Sequence, residues 1–391
     1  MNPVSYLAPA DVPTALRHLG APSALAIAGG TNLVDLMKER VMPPPALADV
    51  ALADITLVDI NNLALSAIEA VPGGGLLLGA LARNADTAYH PLVRARYPLL
   101  RAAILAGASP QIRNMATDGG NLLQRTRCHY FYDVGVPCNK REPGSGCSAI
   151  GGLTRQHAIL GASAHCIATH PSDMCVALAA LGVVVRVESG AGAREIAFAD
   201  FHRLPGDQPE RDTTLGAGEL ITGIALPDAA RFAAHSAYVK VRDRASYAFA
   251  LVSAAAALDI GPDGLIREAR LALGSVAHKP WRVPEAEALL AGCKPSADAF
   301  GRCADLLLQG AVGQGQNDFK IALARRVAVR ALEYATAGTV DNAHEIAGEL
   351  AGELAGNDAE SAQPADQGAN NQGANNQGSK TQGTNNDREQ P

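Results

Sequence analysis

The residues best equipped for chemistry are cysteines. Seven occur in 391 residues, and five of them (Cys128, Cys138, Cys147, Cys166 and Cys175) fall between positions 128 and 175. An odd count in a chain with no secretory signal argues against a disulfide framework. Cys128, Cys138, Cys147 and Cys166 lie on a segment rich in glycine and charge, including Pro143-Gly144-Ser145-Gly146-Cys147. Four thiolates can hold a 4Fe–4S cluster, and glycine-rich backbone lets N–H groups point at the sulfurs. Arg125, Arg127, Lys140 and Arg141 stand nearby to balance the cluster's negative charge. Zinc is the rival metal, but structural zinc sites carry close cysteine pairs and this segment has none. Four unrelated buried cysteines are the plain alternative. Cys175 continues an apolar pattern with Met174, Val176 and Leu178 and reads as core. Cys293 and Cys303 lack partners and read as structural. His129, His157, His165 and His170 share the region, and none is assigned to metal.

Two glycine turns are the second feature. Ala24–Ala28 reads as a short strand that breaks at Gly29-Gly30-Thr31-Asn32, after which Leu33, Leu36 and Met37 recur at helical spacing. Glycine tolerates positive φ and lets backbone approach a ligand, and a helix N-terminus offers free N–H groups to a diphosphate. No Gly-Lys-Ser/Thr follows, so this is not a P-loop. The G-x-G-x-x-G spacing of a dinucleotide fold is also absent. A tight turn between strand and helix is the plain alternative. A second turn, Thr117-Asp118-Gly119-Gly120-Asn121, follows Gln111-Ile112-Arg113-Asn114. Two such turns can face one diphosphate from two sides.

Here the sequence resembles a known family, the FAD-binding medium subunits of the xanthine dehydrogenase and molybdenum hydroxylase family. The matching stretches are Ile27-Ala28-Gly29-Gly30-Thr31-Asn32-Leu33, Gln111–Asn114, Gly119-Gly120-Asn121-Leu122, Pro171-Ser172-Asp173-Met174, Gly218-Glu219-Leu220-Ile221 and Tyr238-Val239-Lys240-Val241-Arg242. The resemblance runs over about positions 1–335. It implies that Ile27 to Val34 (Ile27, Ala28, Gly29, Gly30, Thr31, Asn32, Leu33 and Val34) and Thr117, Asp118, Gly119, Gly120 and Asn121 hold the FAD diphosphate and ribityl chain. Asp173 would accept hydrogen bonds from the cofactor, Ile221 would touch it, and Lys240 would lie near the isoalloxazine. Without the resemblance, Lys240 reads as a surface lysine on a strand. Asp118 departs from the family, which carries a small or apolar residue there. A carboxylate beside a diphosphate is unfavourable unless it points away.

A subset of the family, of the periplasmic aldehyde oxidoreductase and 4-hydroxybenzoyl-CoA reductase types, carries a cysteine insertion. Residues 124–170 resemble the aldehyde oxidoreductase type, as do Cys138-Asn139-Lys140-Arg141, Arg155-Gln156-His157-Ala158 and His278-Lys279-Pro280-Trp281-Arg282. The resemblance implies an electron-transfer subunit of a heterotrimer, with a molybdopterin-binding large subunit and a 2Fe–2S small subunit as partners. Aldehyde oxidation is the activity implied for the whole, with no substrate-oxidising residue on this chain. A xanthine dehydrogenase-type or 4-hydroxybenzoyl-CoA reductase-type subunit, a free-standing flavin oxidase and a zinc-stabilised nucleotide-binding module are the alternatives.

The elements expected to position these residues give an α+β fold. Positions 1–228 should form an FAD-binding domain in two subdomains with the cysteine insertion at about 124–170. Positions 231–338 should form a small domain with a three-stranded antiparallel sheet and helices. Strands are expected at Thr56–Ile60, Gly75–Ala80, Val183–Val187, Glu219–Leu226, Tyr238–Val241, Leu251–Ile260 and Ile266–Ser275, and helices at Tyr97–Ala108, Met174–Leu181, Pro284–Ala291 and Phe319–Ala335. Positions 357–391 contain no Val, Ile, Leu, Met or aromatic residue and repeat a Gln/Gly/Ala/Asn pentapeptide, the composition of a disordered tail. Hydrophobic residues make up 48% and charged residues 18%, which suits a large core. The formal net charge of −6 argues against nucleic-acid binding. No run approaches a membrane span, and no signal peptide or twin-arginine pair is seen. The chain's own sequence implies the cytoplasm, and a signal-bearing partner would carry the complex to the periplasm.

Overall fold

Among the described residues the backbone pairs into three sheets of strands bounded by turn residues. The computed structural model describes residues 4–41 and 55–339, all within one of the chain's two compact units, Met1–Glu349. The tail expected to be disordered, 357–391, lies outside the described residues.

The first sheet is parallel. Strands β1 (Ser5–Leu7), β2 (Ala24–Ile27) and β3 (Thr56–Asp59) lie in the order β1-β3-β2. Parallel neighbours need a crossover, and the helix Val12–Leu19 connects β1 to β2. Asp11 caps it by accepting the Thr14 N–H, with Pro13 in the first turn. Its buried Ala15 and Leu19 pack on Val58, Ile60 and Leu63.

The second sheet is antiparallel, from β4 (Ile68–Ala70), β5 (Leu76–Gly79), β6 (Val184–Ser189), β7 (Gly192–Ala197) and β8 (Leu220–Leu226), in the order β4-β5-β8-β6-β7. Leu76, Leu78, Val185 and Ile224 meet Leu100, Ile104, Met174 and Leu178 in the largest core among the described residues.

The third sheet is antiparallel, with order β12-β11-β10-β9 over β9 (Ser236–Val241), β10 (Val252–Ile260), β11 (Ile266–Gly274) and β12 (Trp281–Arg282). Three strands were expected; the fourth has two residues, too few to show as a periodic run. The helix Phe319–Ala337 packs on β9 and β10, and the helix Asp173–Leu181 on β10 and β11. Asp173–Leu181 also belongs to the core of the second sheet, so one apolar helix serves both. Its ends follow from the sequence. Ser172 Oγ accepts the Cys175 N–H at 3.0 Å, and Gly182 stops the helix at φ 67°.

Between positions 124 and 170 the only regular element is one helical turn, His129–Tyr132. Cys138 and Cys147 face each other across an isolated antiparallel bridge. Asn139 ties that bridge, donating its N–H to the Gly146 carbonyl (2.6 Å) and accepting the Gly146 N–H on its side-chain oxygen (2.8 Å).

Candidate functional site

Both glycine turns open onto one pair of adjoining cavities. The first, about 520 Å³, is lined by Leu25–Leu33, Ile60, Thr117, Gly119, Gly120, Leu215, Gly218 and Ile221 among others. The second, about 490 Å³, is lined by Thr31, Asn32, Ile112, Gly120, Asn121, Arg127, Ser172, Asp173, Lys240, Tyr247 and Phe249 among others. Thr31, Asn32 and Gly120 line both, so the two turns meet at the waist of one elongated site. Such a site suits a ligand with two flat ends and a polar middle. Asn32 stands at that waist. Its side-chain oxygen accepts the Arg125 N–H at 3.0 Å, and its side chain also meets the Tyr132 hydroxyl. Both turns line the waist, so these features fit FAD with its polar middle between them.

The glycines are present for reasons the sequence did not separate. Gly30 needs its positive φ of 71°. A Cβ on Gly29 would overlap the Met115 carbonyl, and one on Gly119 would sit 2.9 Å from the Ala80 methyl. What approaches those two glycines is the protein itself. The helix after the first turn, Leu33–Lys38, has 6 residues, and the second expected turn is itself a helix of 5, Asp118–Leu122, capped by Thr117. Their dipoles are short, and the turns do most of the positioning.

Asp118 is fully buried and turned from the cavities. It accepts the Asn84 Nδ2–H at 2.7 Å and lies 2.6 Å from the Thr87 hydroxyl. That removes the conflict expected between this carboxylate and a diphosphate. Burial pushes its pKa up to about 7, against the pull of the Thr87 and Asn84 bonds. An acid whose pKa is raised on folding loses stability as pH climbs from its unfolded value toward the folded one. Asp118→Asn should therefore unfold at a midpoint that falls less between pH 4 and pH 7 than that of the natural chain. Differential scanning fluorimetry across that range checks this; parallel curves would refute it.

Asp173 and Lys240 line the second cavity, but they also hold each other. Lys240 Nζ lies 2.8 Å from Asp173 Oδ2 and 3.1 Å from the Ala106 carbonyl, and Tyr238 donates its hydroxyl to Asp173 Oδ1 at 2.7 Å. Both carboxylate oxygens thus have protein partners, where hydrogen bonds from the cofactor were expected. Lys240 is 8% exposed, so the surface-lysine alternative does not hold. Asp173→Ala would strand a buried ammonium, which typically costs about 3–5 kcal/mol. Chemical denaturation should show that loss, and Asp173→Ala with Lys240→Met should recover part of it.

Val34 lines neither cavity and instead packs behind Gly30.

The four cysteines assigned to a metal converge. Cys128, Cys138, Cys147 and Cys166 line one narrow cavity with Thr126, Phe131 and Lys140. Burial pushes the Cys128 pKa up to about 11, against the pull of the Phe131 and Tyr130 N–H groups. A hydrogen bond from the Cys166 thiol favours thiolate at Cys147, helped by the N–H groups of Ala149, Ile150 and Ile167, and raises Cys166 in turn. Converging thiols served by backbone donors are the donor set of an iron–sulfur cluster. Cys175 is not among them. It is fully buried with a pKa pushed up to about 12, and it lies with His170 and His202, their donor atoms within 4.8 Å of one another.

The basic residues around the cysteines are largely neutralised. Lys140 and Arg125 both pair with Asp212, and Arg127 pairs with Asp35 at 2.7 Å. Burial raises the Asp212 pKa, but those two cations outweigh it and hold it well below the usual carboxylate range. Arg141 instead bonds the carbonyls of Tyr130, Phe131 and Val136. Two histidines stand against the cysteines: His157, named above and not assigned to metal, has Nε2 3.1 Å from Cys128 Sγ, and His278, not singled out for the site, has Nε2 3.2 Å from Cys166 Sγ. His278 sits 112 residues from its cysteine, so no local spacing could reveal it.

Comparison with known proteins agrees with this geometry. Residues 2–229 match the family model "FAD binding domain in molybdopterin dehydrogenase". Residues 236–335 match "CO dehydrogenase flavoprotein C-terminal domain". The aldehyde oxidoreductase FAD-binding subunit PaoB of Escherichia coli (strain K12) is 49% identical over 324 residues, 83% of this chain and 95% of that one. The carbon monoxide dehydrogenase medium chain of Afipia carboxidovorans is 26% identical over 332 residues, 84% of this chain and 94% of that one. Among solved structures, carbon monoxide dehydrogenase from Hydrogenophaga pseudoflava matches with a TM-score of 0.65 and 25% identity, over 86% of this chain and 98% of that one. The chain belongs to the molybdenum hydroxylase family, as one of its FAD-binding medium subunits.

Proposed function

We propose that this subunit passes electrons through FAD within a complex that oxidises aldehydes, and that it carries a 4Fe–4S cluster on Cys128, Cys138, Cys147 and Cys166. The observation that carries this reading is the adjacency of the two sites. Arg127 lines the second large cavity, and the next residue, Cys128, lines the cysteine cavity. FAD would supply a carrier that takes electrons one or two at a time. The chain's residues would do the rest. The Ile27–Leu33 segment and Thr117, Gly119, Gly120 and Asn121 would hold the polar middle of FAD. Asp173 would fix Lys240 beside the ring, where an ammonium favours negative charge on the reduced cofactor. Ile221 would press on the other end. The domain division expected from the sequence, at about position 230, is retained in this proposal.

The substrate would be oxidised on a molybdopterin-binding large subunit, with a 2Fe–2S small subunit between. The relatives' names support medium subunits of such complexes. No described helix is long and apolar enough to cross a membrane. Export of the complex with a signal-bearing partner is part of this proposal.

An anaerobic mixing experiment tests it. An aldehyde should bleach the flavin absorbance of the assembled complex and leave the isolated chain yellow. Bleaching of the isolated chain would point instead to a free-standing flavin oxidase.

A further inference from the structure

We infer that His157 and His278 are positioning residues for the iron–sulfur cluster, each donating an imidazole N–H to a ligand sulfur and so raising the cluster's reduction potential. The inference rests on the cluster reading above and adds two residues to it. The Nε2 atoms of His157 and His278 stand 3.1 Å from Cys128 Sγ and 3.2 Å from Cys166 Sγ. The rings are 2% and 8% exposed, so water does not compete for these contacts.

The protonation pattern follows from the chemistry of the pair. A sulfur bound to iron has lost its proton, so the proton of each N···S contact must come from the ring. Nε2–H then donates and Nδ1 is left as an acceptor. The Nδ1 of His278 is buried without a protein partner. A buried bare acceptor is tolerated better than a buried bare donor, so its surroundings favour this tautomer over the reverse. Hydrogen bonds to sulfur draw negative charge off the cluster and stabilise its reduced form.

The backbone segments that carry the two rings are tied by one residue. Lys320 is fully buried. Its Nζ donates to the His157 carbonyl at 2.8 Å and to the Ser275 carbonyl at 2.7 Å. Ser275 immediately follows β11 and lies three residues before His278. Asn317 Nδ2 adds a second bond to the His157 carbonyl at 3.0 Å. The helix Phe319–Ala337, which carries Lys320, therefore fixes both imidazole-bearing segments against the cysteine loop. This gives a far part of the chain a hold on the cluster that sequence spacing does not show.

The test is a potentiometric titration of the complex as purified, followed by electron paramagnetic resonance, with iron counted in parallel. His157→Leu and His278→Leu should keep the iron content of the natural complex but move the cluster's midpoint to more negative potential. A tenfold fall in the reduced-to-oxidised ratio at fixed potential corresponds to about 59 mV for a one-electron couple. His157→Gln and His278→Gln, which restore an N–H donor, should recover part of the shift. Unchanged midpoints in both leucine variants, with iron retained, would overturn the inference. Should the variants lose iron, the natural protein decides. Grown on 15N-histidine and reduced, it should show weak histidine couplings in pulsed resonance. No histidine coupling, or one strong enough for direct ligation, would overturn the inference. This chain found without iron after separation from its partners would instead remove the cluster reading itself.

Discussion

Gly30→Val is expected to yield a folded chain that retains no FAD. Gly30 stands in the turn that lines the first cavity, beside the waist at Thr31 and Asn32. Its φ of 71° is unfavourable for a β-branched residue. Its Cβ would already sit 3.0 Å from Val34 Cγ2, before the valine methyls are placed. The turn must therefore move, and it carries Thr31 and Asn32 with it. Strain of this kind costs about 1–3 kcal/mol, which a chain with this core survives. Strain alone is separated from cofactor loss by a control. Gly73 has a similar φ of 83° with open space around it, outside both cavities. Gly73→Ala should be strained too, yet keep its flavin. Flavin absorbance per chain after gel filtration reads both. A yellow Gly30→Val variant would place the cofactor elsewhere.

Cys147→Ser should remove the iron, and Cys175→Ala should leave it. Cys147 faces Cys138 across the bridge and lines one cavity with Cys128 and Cys166. A serine there would break the set of four at its centre. The loss should also loosen residues 128–166, where the described chain has only one helical turn and would rely on the metal to tie distant points together. Limited proteolysis should then cut this segment first. Cys175 sits at the start of an apolar helix, away from the cysteine cavity. Iron that survives Cys147→Ser and vanishes in Cys175→Ala would replace the fourth ligand.

Much of the frame was legible because its signals are local. Ser172 and Gly182 bracket the helix Asp173–Leu181 as their residue types suggest. The expected strands at 24–28, 56–60, 75–80 and 219–226 all form, within two residues at either end. What escaped was short or exposed. β1 has three residues and all are exposed, while β7 buries only Ile196, so neither shows an alternating pattern. The helix Ala297–Leu307 was also missed, although Ser296 caps it by accepting the Ala299 N–H; its run is broken by Gly301 and charged residues.

The site divides in the same way. The glycine turns and the cysteines were found by type and spacing, and the structure brings each set to one place. The reasons for individual residues were not readable. Asp118 needed Asn84 and Thr87, 34 and 31 residues away, to show where its carboxylate points. Lys240 is buried only because β9 carries it to Asp173, 67 residues earlier. Such pairings depend on packing between sheets, which no local pattern encodes.

This one subunit should hold both a flavin and an iron–sulfur cluster. Iron and flavin should be counted together on the chain purified with its partner subunits and then separated from them under anaerobic conditions. About one FAD and about four irons are expected on this chain, with a broad visible absorbance beneath the flavin bands. Flavin without iron, or zinc in its place, would contradict this.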